Sequence, residues 1–221
     1  MRFISGLMLA VLAGTATAQN KALPTAKPAD PIARAVAAWK NVSSLSGTFE
    51  QQLTNPLVRS TTTAKGTFAQ QRPNKLAVRF TEPPGDAIVA DGKSLWVFLQ
   101  QAAPGQVIKR PITDEMASPI DVGQFLDAPA ARFDISARGA ELVGDRPAQA
   151  VNLTPKKGTD APFTRATVWI DDADGMVRQF EVTEQSGLVR RIRLTKLVVN
   201  PALAPSEFKF TVPRGVRIVE R

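Results

Sequence analysis

Apolar and polar side chains alternate with a period of two residues through most of residues 66–99. Runs of this kind surround Phe68, Val78 and Val97, and the period is typical of β-strands because successive strand side chains point to opposite faces. The runs are separated by three turn signals, Arg72-Pro73-Asn74, Glu82-Pro83-Pro84-Gly85 and Asp91-Gly92. The last of these favours a tight hairpin, since both of its residues tolerate a positive φ. We therefore predict a meander of antiparallel strands.

The last run of the meander, residues 95–99, is apolar on both faces. Leu95 and Val97 share one face, while Trp96 and Phe98 share the other. A sheet with only one covered face would leave these two aromatic side chains in water. We therefore predict apolar cover on both sides of this strand.

The residues before the meander favour one helix and one strand. Asp30 can cap a helix that starts with Pro31. The helix then presents one apolar stripe, formed by Ile32, Ala35, Val36 and Trp39. We predict that this helix packs across one end of the sheet. Alternation over residues 45–53 predicts the first strand.

The strand pattern stops between residues 111 and 129, after one short strand over residues 106–109. Thr113 or Asp114 can cap a short helix that ends at Met116, and Ser118-Pro119 can start a second one. We interpret the two helices as a flap over the sheet, and an ordinary excursion that caps the core gives the same pattern. The apolar residues of this predicted lid are Met116, Ile120, Val122, Phe125 and Leu126.

Alternation returns after the flap and predicts strands over residues 132–137, 149–154, 165–171, 177–184 and 188–196. Phe208 and Phe210 then share one face, and a turn at Pro213-Arg214-Gly215 leads into a last strand over residues 216–219. The chain shows no internal repeat and no linker, so we predict one domain over residues 31–221. Its predicted fold class is mainly β with a helical lid, on a strongly curved antiparallel sheet.

Residues 1–18 have the features of a secretory signal peptide. Arg2 supplies the positive start, residues 3–12 the apolar centre and Ala16-Thr17-Ala18 the small-residue cleavage motif. No other apolar run approaches the ~20 residues that a membrane-spanning helix needs. We therefore expect an exported, unanchored chain. Residues 19–30 are rich in Pro, Ala and Lys without apolar periodicity, and we expect them to be disordered.

The composition excludes several classes of chemistry. The 221 residues include no Cys and no His, which removes thiol nucleophiles, imidazole bases and the commonest transition-metal ligands. Most hydrolytic chemistry and zinc chemistry are thereby excluded, and we expect no metal site and no cofactor. The 28 Lys and Arg exceed the 20 Asp and Glu, and this balance favours anionic partners.

Three charged motifs have simple structural interpretations. The sequence Asp171-Asp172-Ala173-Asp174-Gly175 resembles the start of a calcium loop but lacks the later bidentate Glu, so we predict a hairpin turn. Asp114 and Glu115 are adjacent and point apart, which does not suit an acid–base pair. The cluster of Arg190, Arg191 and Arg193 has no interleaved aromatic residues, so we predict a solvated strand face and no nucleic-acid partner.

An excess of apolar residues can face the inside of the curved sheet. They are Phe49, Phe68, Leu76, Val78, Phe80, Ile88, Leu95, Val97, Phe133, Ile135, Val168 and Ile170. A curved sheet of this kind either fills its concavity with its own side chains or keeps it for an apolar ligand. The pattern alone favours neither.

Three phrases of the sequence resemble the LolA family of periplasmic outer-membrane lipoprotein carriers. They are Gly66-x-Phe68 followed by Arg72-Pro73-Asn74, then Asp91-Gly92-Lys93-Ser94-Leu95-Trp96, and finally Phe208-x-Phe210-x-x-Pro213-x-Gly215. The resemblance covers nearly all of the chain after the signal peptide. It implies an incomplete β-barrel in which helices form a lid over an apolar cavity for lipoprotein acyl chains. In that family the Arg of the Arg-Pro-Asn phrase bonds the lid, so the resemblance implies that Arg72 is a lid latch.

The same resemblance implies a set of partners. Acylated lipoproteins would be received from an inner-membrane lipoprotein-releasing ABC transporter, carried through the periplasm by a monomer, and passed to an outer-membrane lipoprotein receptor. Two alternatives remain on the same fold, an envelope lipid or lipoprotein sensor like the RseB group and a glycolipid carrier. A second domain like that of the RseB group has no room in this chain. An exported hydrolase is a third alternative, disfavoured by the absence of His and Cys.

Overall fold

The computed structural model, which describes residues 30–112 and 120–220, is built around one twelve-stranded sheet. The strands in chain order are β1 (Ser44–Asn55), β2 (Ser60–Gln71), β3 (Lys75–Glu82), β4 (Pro84–Asp91), β5 (Ser94–Phe98), β6 (Gln106–Pro111), β7 (Phe133–Val143), β8 (Arg146–Pro155), β9 (Phe163–Asp171), β10 (Val177–Glu184), β11 (Val189–Val199) and β12 (Arg217–Glu220). The helices of the described residues are α1 (Pro31–Lys40), α2 (Gly123–Leu126), α3 (Pro129–Arg132) and a 3-10 helix at Pro205–Phe208.

The strand order in the sheet is β12-β6-β5-β4-β3-β2-β1-β11-β10-β9-β8-β7. Neighbouring strands are antiparallel except β12, which runs parallel to β6. Strands β12 and β7 form the two edges and do not pair with each other, so the barrel is incomplete. One face of strands β1 to β5 and β7 to β11 contributes to a single apolar cluster with α1 and α2, which requires a strongly curved sheet. The predicted fold class is confirmed.

Helix α1 forms as its sequence predicts. The Asp30 carboxylate accepts a hydrogen bond of 3.1 Å from the Ile32 backbone N–H, and Pro31 occupies the first turn. Ile32, Ala35 and Trp39 are buried on one face, where the helix contacts α2, β8 and β9. The helix therefore closes one end of the curved sheet.

A second apolar layer covers the outer face of β2 to β5. Phe208 is only 2% exposed and packs with Ala69, Ala77 and Val89. Phe210 stacks on Trp96 with ring centroids 5.6 Å apart and lies 5.8 Å from the Phe98 ring. The chain segment after β11 thus supplies the outer cover predicted for the doubly apolar strand β5.

The turn between β9 and β10 connects three parts of the fold. Asp171 is 1% exposed and accepts hydrogen bonds from the side chains of Arg146 and Arg178. Asp172 accepts one of 3.0 Å from Arg34 on α1. Arginine side chains therefore form hydrogen bonds with the carboxylates of Asp171 and Asp172. Strands β9 and β10 pair as the hairpin that the sequence predicts.

The structure differs from the predicted elements at several boundaries. Strand β2 begins at Ser60, well before the alternating run, because its polar first half pairs in full with β1. Strand β7 continues to Val143 along β8. Phe208 lies in a 3-10 helix, and residue 132, predicted to start a strand, ends the short helix α3.

Parts of the prediction lie outside the described residues. These are the signal peptide over residues 1–18, the tail except Asp30, the first helix of the flap and the Ser118-Pro119 start of the second. Among the helices that the structure describes, none is both long enough and apolar enough to cross a bilayer.

Candidate functional site

The inner face of the curved sheet carries the apolar residues predicted for the cavity. All twelve belong to one cluster. Phe80, Val97 and Ile135 are half-buried, and the other nine are buried. The Phe49 and Phe80 rings meet edge to face with their centroids 5.4 Å apart. The structure therefore brings the whole predicted set together on one surface.

Gly66 permits the close packing at the centre of this surface. A Cβ atom at this position would lie 2.2 Å from the Arg79 carbonyl oxygen and 2.7 Å from Cε1 of Phe49. Both distances are too short for a real Cβ atom. Only glycine therefore allows the backbone of β2 to come this close to β3 and to the Phe49 ring. This explains the glycine that opens the Gly66-x-Phe68 phrase.

The residues of α2 and the turn before it cover the inner face. Ile120, Val122, Phe125 and Leu126 are between 0% and 4% exposed and belong to the same cluster. The Phe125 ring lies 5.7 Å from Phe163 and 5.2 Å from Phe180, measured between centroids. Met116, the remaining predicted lid residue, lies outside the described residues. We call residues 120–126 the covering segment.

The covering segment closes against Trp39 of α1. A Cβ atom on Gly123 would lie 3.1 Å from Cζ2 of Trp39, so the indole and α2 are in tight contact. The Trp39 Nε1–H is buried and has no hydrogen-bond partner in the part of the chain that the structure describes. An unpaired buried donor costs about 1–3 kcal/mol. The closed arrangement carries this cost, and exposure of the indole to water would remove it.

Arg72 holds the end of α1. Its Nη1 donates to the backbone carbonyls of Trp39 and Val42, each at 3.2 Å. Its guanidinium also lies 5.0 Å from the centroid of the Trp39 ring, and its backbone N–H donates to the Ser43 carbonyl at 2.9 Å. The acceptors of Arg72 thus lie at the carboxyl end of the long N-terminal helix, where unpaired carbonyls attract a cation.

Asp121 joins the covering segment to β2. Its Oδ1 accepts hydrogen bonds from the Gln70 side chain at 3.0 Å and from the Gly123 backbone N–H at 2.9 Å. Burial raises the pKa of this carboxyl, and the nearby Asp127 adds to the rise, while the bonds from Gln70 and Gly123 and the charge of Arg72 oppose it. Ionisation of Asp121 therefore costs free energy in the closed arrangement.

The Arg-Pro-Asn turn is fixed by the neighbouring hairpin. Asn74 donates to the Gly92 carbonyl at 3.0 Å. Asp91 accepts backbone N–H bonds from Lys93 and Ser94 at 2.8 Å and the Trp96 indole N–H at 3.0 Å. Burial raises the pKa of Asp91, but these hydrogen bonds outweigh burial and hold the pKa below its usual value. Hydrogen bonds therefore connect two of the phrases that carry the family resemblance, and the connected turns lie next to Arg72.

The lining of the site is that of an apolar binding surface. In this closed arrangement its own side chains fill the inner face, and the polar groups around it join backbone segments to one another. A groove of about 400 Å³ on the outer face of β1, β2, β10 and β11 is lined mainly by charged and amide side chains, among them Glu50, Lys65 and Arg193. Such a lining does not suit an acyl chain.

The other charged motifs have structural partners. Arg190, Arg191 and Arg193 pair with Glu184, Glu181 and Glu50, respectively. Across residues 30–112 and 120–220, no three acidic side chains are grouped so that they could hold a metal ion. Asp114 and Glu115 lie outside the described residues.

The contact between Gln70 and Asp121, which joins β2 to the covering segment, is not among the predictions from the sequence. Gln70 shares the face of Phe68 in the alternation of β2, and the structure buries it to 8% exposure. A polar residue at an inward strand position is a signal for a buried hydrogen bond, because burial without a partner is costly. That signal was available in the sequence.

The sequence of this chain matches the model of one protein family over most of its length. The family described as "Outer membrane lipoprotein carrier protein LolA" matches residues 40–211, which is well over half of the sequence. The chain belongs to the LolA family. The resemblance carried by the Gly66, Asp91 and Phe208 phrases is confirmed.

Individual relatives of this LolA-family chain agree with the match. The outer-membrane lipoprotein carrier protein of Xanthomonas axonopodis pv. citri is 31% identical over 186 residues, covering 81% of this chain and 83% of the relative. The protein of the same name from Dechloromonas aromatica is 29% identical over 186 residues, with the same coverage. The crystal structure of an uncharacterized conserved protein from Thermus thermophilus shares the fold, with a TM-score of 0.54 at 14% identity over 86% of this chain and 97% of that one.

Proposed function

We propose that this chain is a periplasmic carrier that binds lipoproteins by their acyl chains and takes them to the outer membrane. The observation that carries the proposal is the covering segment, which closes a continuous apolar surface with four apolar side chains of its own. An apolar surface that is shielded from water by such side chains can also be shielded by the hydrocarbon of an acyl chain. The names of the Xanthomonas and Dechloromonas relatives support the same function.

The energetics favour exchange of one apolar occupant for another. Each methylene group taken out of water contributes about 0.8 kcal/mol, so an acyl chain gains enough free energy to displace a segment of a few residues. The covering segment is short, and the hydrogen bond from Gln70 to Asp121 is one polar link between it and β2. Entry of acyl chains therefore requires movement of this segment and leaves the sheet intact.

The partners follow from the proposed cargo. An inner-membrane lipoprotein-releasing ABC transporter would load the carrier, and an outer-membrane lipoprotein receptor would unload it. The carrier would act as a monomer in the periplasm without catalysis. A lipid sensor and a glycolipid carrier on the same fold are less favoured, since the named relatives are lipoprotein carriers.

The first test is to identify the bound cargo. We expect the protein purified from the periplasm to carry triacylated lipoproteins, detected by mass spectrometry, because water-exposed acyl chains have no better site. A fluorescent fatty-acyl probe should bind the emptied protein with saturation and be displaced by a lipopeptide. Free glycolipid in the purified protein would identify a different cargo, and the absence of both cargo and saturable probe binding would contradict the proposal.

Replacement of Arg72 by leucine is expected to leave loading intact and to slow delivery. The variant loses two hydrogen bonds from a charged group to the end of α1, which removes about 1.5 kcal/mol from the closed state, the low end of the usual range because the side chain is partly exposed. A ligand that binds the open state is then released less readily. The measurement counts lipoprotein taken from donor membranes and then lipoprotein surrendered to acceptor membranes.

Arg79→Leu is the matched control for this experiment. Arg79 also donates from its guanidinium to backbone carbonyls, those of Glu207 at 3.0 Å and Lys209 at 3.4 Å, but on the outer face of the sheet. The control should load and deliver like the wild type. Wild-type delivery by Arg72→Leu, or a failure of that variant already at loading, would exclude a latch at Arg72.

A further inference from the structure

The hairpin between β1 and β2 ends in a strongly apolar loop. Residues 56–59 connect the strands, and we call them the hairpin tip. Leu57 is 85% exposed and Val58 is 68% exposed. Exposure of two adjacent branched apolar side chains to water is unfavourable. Neither side chain belongs to the inner cluster or to the outer apolar layer.

The strand register places the hairpin tip at one end of the sheet. Thr54 of β1 pairs with Val189 at the start of β11 and with Thr61 of β2. Strand β3 pairs with β2 only as far as Lys65. The loop therefore lies well beyond the end of β3 on one side, while on the other side β1 extends one residue past its last pair with β11.

Hydrogen bonds fix the shape of this loop. The Asn55 side chain accepts the Leu57 backbone N–H at 3.1 Å. The hydroxyl groups of Thr54 and Thr61 lie 3.1 Å apart across the hairpin. Arg59 has a φ of 51°, which turns the chain back into β2. The two apolar side chains are thus presented by an ordered turn.

The charge pattern of the hairpin is unusual for this highly charged chain. Residues 51–64 contain one ionisable side chain, that of Arg59. The strands behind the tip carry Thr, Ser, Asn and Gln side chains, which can hydrogen-bond to lipid headgroups without repelling anionic ones. The arrangement is an apolar end, one cation beside it and an uncharged polar stem.

The size of the loop distinguishes a bilayer from a protein partner. A stable protein interface buries about 800 Å² on each side, which a four-residue loop on a narrow stem cannot supply. Insertion into the boundary between headgroups and acyl chains needs only apolar side chains at the correct depth and gains from a nearby cation. We propose that the hairpin tip inserts into the surface of an anionic bilayer, with Leu57 and Val58 in the apolar zone and Arg59 beside a lipid phosphate.

This membrane contact goes beyond the proposed carrier function, since the cargo site lies on the inner face of the sheet. It would bring the carrier itself to the lipid surface, independently of a protein docking partner. The acyl-probe assay tests the cargo site and the assays below test the tip, so each proposal can fail alone.

The absence of native cysteine allows a direct test of insertion. An environment-sensitive dye is attached to the single thiol of Leu57→Cys, and vesicles of phosphatidylethanolamine with a minority of phosphatidylglycerol are added. We expect a blue shift and increased emission on mixing. Leu142→Cys is the control, since Leu142 is 69% exposed but lies near the β7–β8 turn at the opposite end of the strands. An unchanged dye at position 57, or equal changes at both positions, would overturn the proposal.

Vesicle flotation of unlabelled protein provides a second measurement. The double variant Leu57→Ser with Val58→Ser should reduce the vesicle-bound fraction at least about tenfold, because both side chains that enter the apolar zone are lost. Arg59→Gln should weaken binding to the anionic vesicles and leave weak binding to pure phosphatidylcholine vesicles unchanged. Leu142→Ser should bind like the wild type. If the tip variants bind vesicles normally but fail to receive cargo from the purified transporter, the tip is a protein contact and the membrane proposal is wrong.

Discussion

Replacement of Phe125 by alanine is expected to lower the free energy of unfolding by about 3–5 kcal/mol and, in the same protein, to tighten the binding of an acyl probe. The stability loss follows from the position of the ring, which is fully buried and contacts Phe163 and Phe180. The affinity gain follows from competition. Acyl chains must displace the covering segment in the proposed function, and the variant holds that segment less firmly while leaving more apolar space.

The two effects are measured separately, by denaturant unfolding of the empty protein and by titration with the fluorescent probe. Phe208→Ala is the matched control, because Phe208 is 2% exposed but packs on the outer face of the sheet. It should lose stability to a similar extent without any gain in probe affinity. Weaker probe binding by Phe125→Ala would mean that the ring belongs to the cargo site and not to its competitor.

Replacement of Asp171 by alanine is expected to cost about 3–5 kcal/mol of stability at neutral pH. Asp171 is 1% exposed and pairs with Arg178, which is 9% exposed, and with Arg146. The variant leaves the buried Arg178 without one of its two carboxylate partners and also removes the acceptor of the Ala173 N–H. Chemical denaturation measures the loss.

The pH dependence of Asp171 gives the same prediction a second test. Burial raises the pKa of this carboxyl, but the hydrogen bonds from Arg146, Ala173 and Arg178 outweigh burial and lower it overall. A lowered carboxyl pKa contributes stability above the unfolded value of about 4, and this contribution is lost as the pH falls through the folded value. The wild type should therefore lose stability more steeply than Asp171→Ala below about pH 4.

Asp172→Ala is the control in the same turn. The Arg34 to Asp172 pair is partly exposed on both sides, with side-chain exposures of 31% and 39%, so its loss should cost at most about 1 kcal/mol. A loss for Asp171→Ala as small as that of the control would show that the buried arginine finds another partner.

Much of the interior could be predicted because burial repeats with the period of the secondary structure. The twelve inward positions, the stripe of α1 and the apolar residues of the covering segment all follow from periods of two or 3.6 residues. The doubly apolar strand β5 even predicts an outer layer. Its identity, Phe208 and Phe210, depends on where a distant segment returns, which a local pattern does not contain.

Long-range partners account for the features that the sequence pattern does not predict. The polar first half of β2 is a strand because β1 is beside it. The acceptors of Arg72 are carbonyls of residues 39 and 42, and carbonyls have no signature in a sequence. Leu57 and Val58 are too few to form a periodic run, so only the register of β1 and β2 reveals that they project.

The buried indole N–H of Trp39, which has no partner among residues 30–112 and 120–220, has a consequence for how tightly the proposed carrier would hold acyl chains. The covering segment is an intramolecular competitor that is tethered to the sheet, so its effective concentration at the inner face is fixed and far above that of any dilute ligand. A closed state more stable by about 3 kcal/mol lowers the apparent affinity for acyl chains more than a hundredfold, and a donor without a partner reduces that stability. In the proposed function, the apparent binding constant for acyl chains therefore depends on the stability of the closed, empty protein, and substitutions at the contact between Trp39 and Gly123 are expected to change that constant.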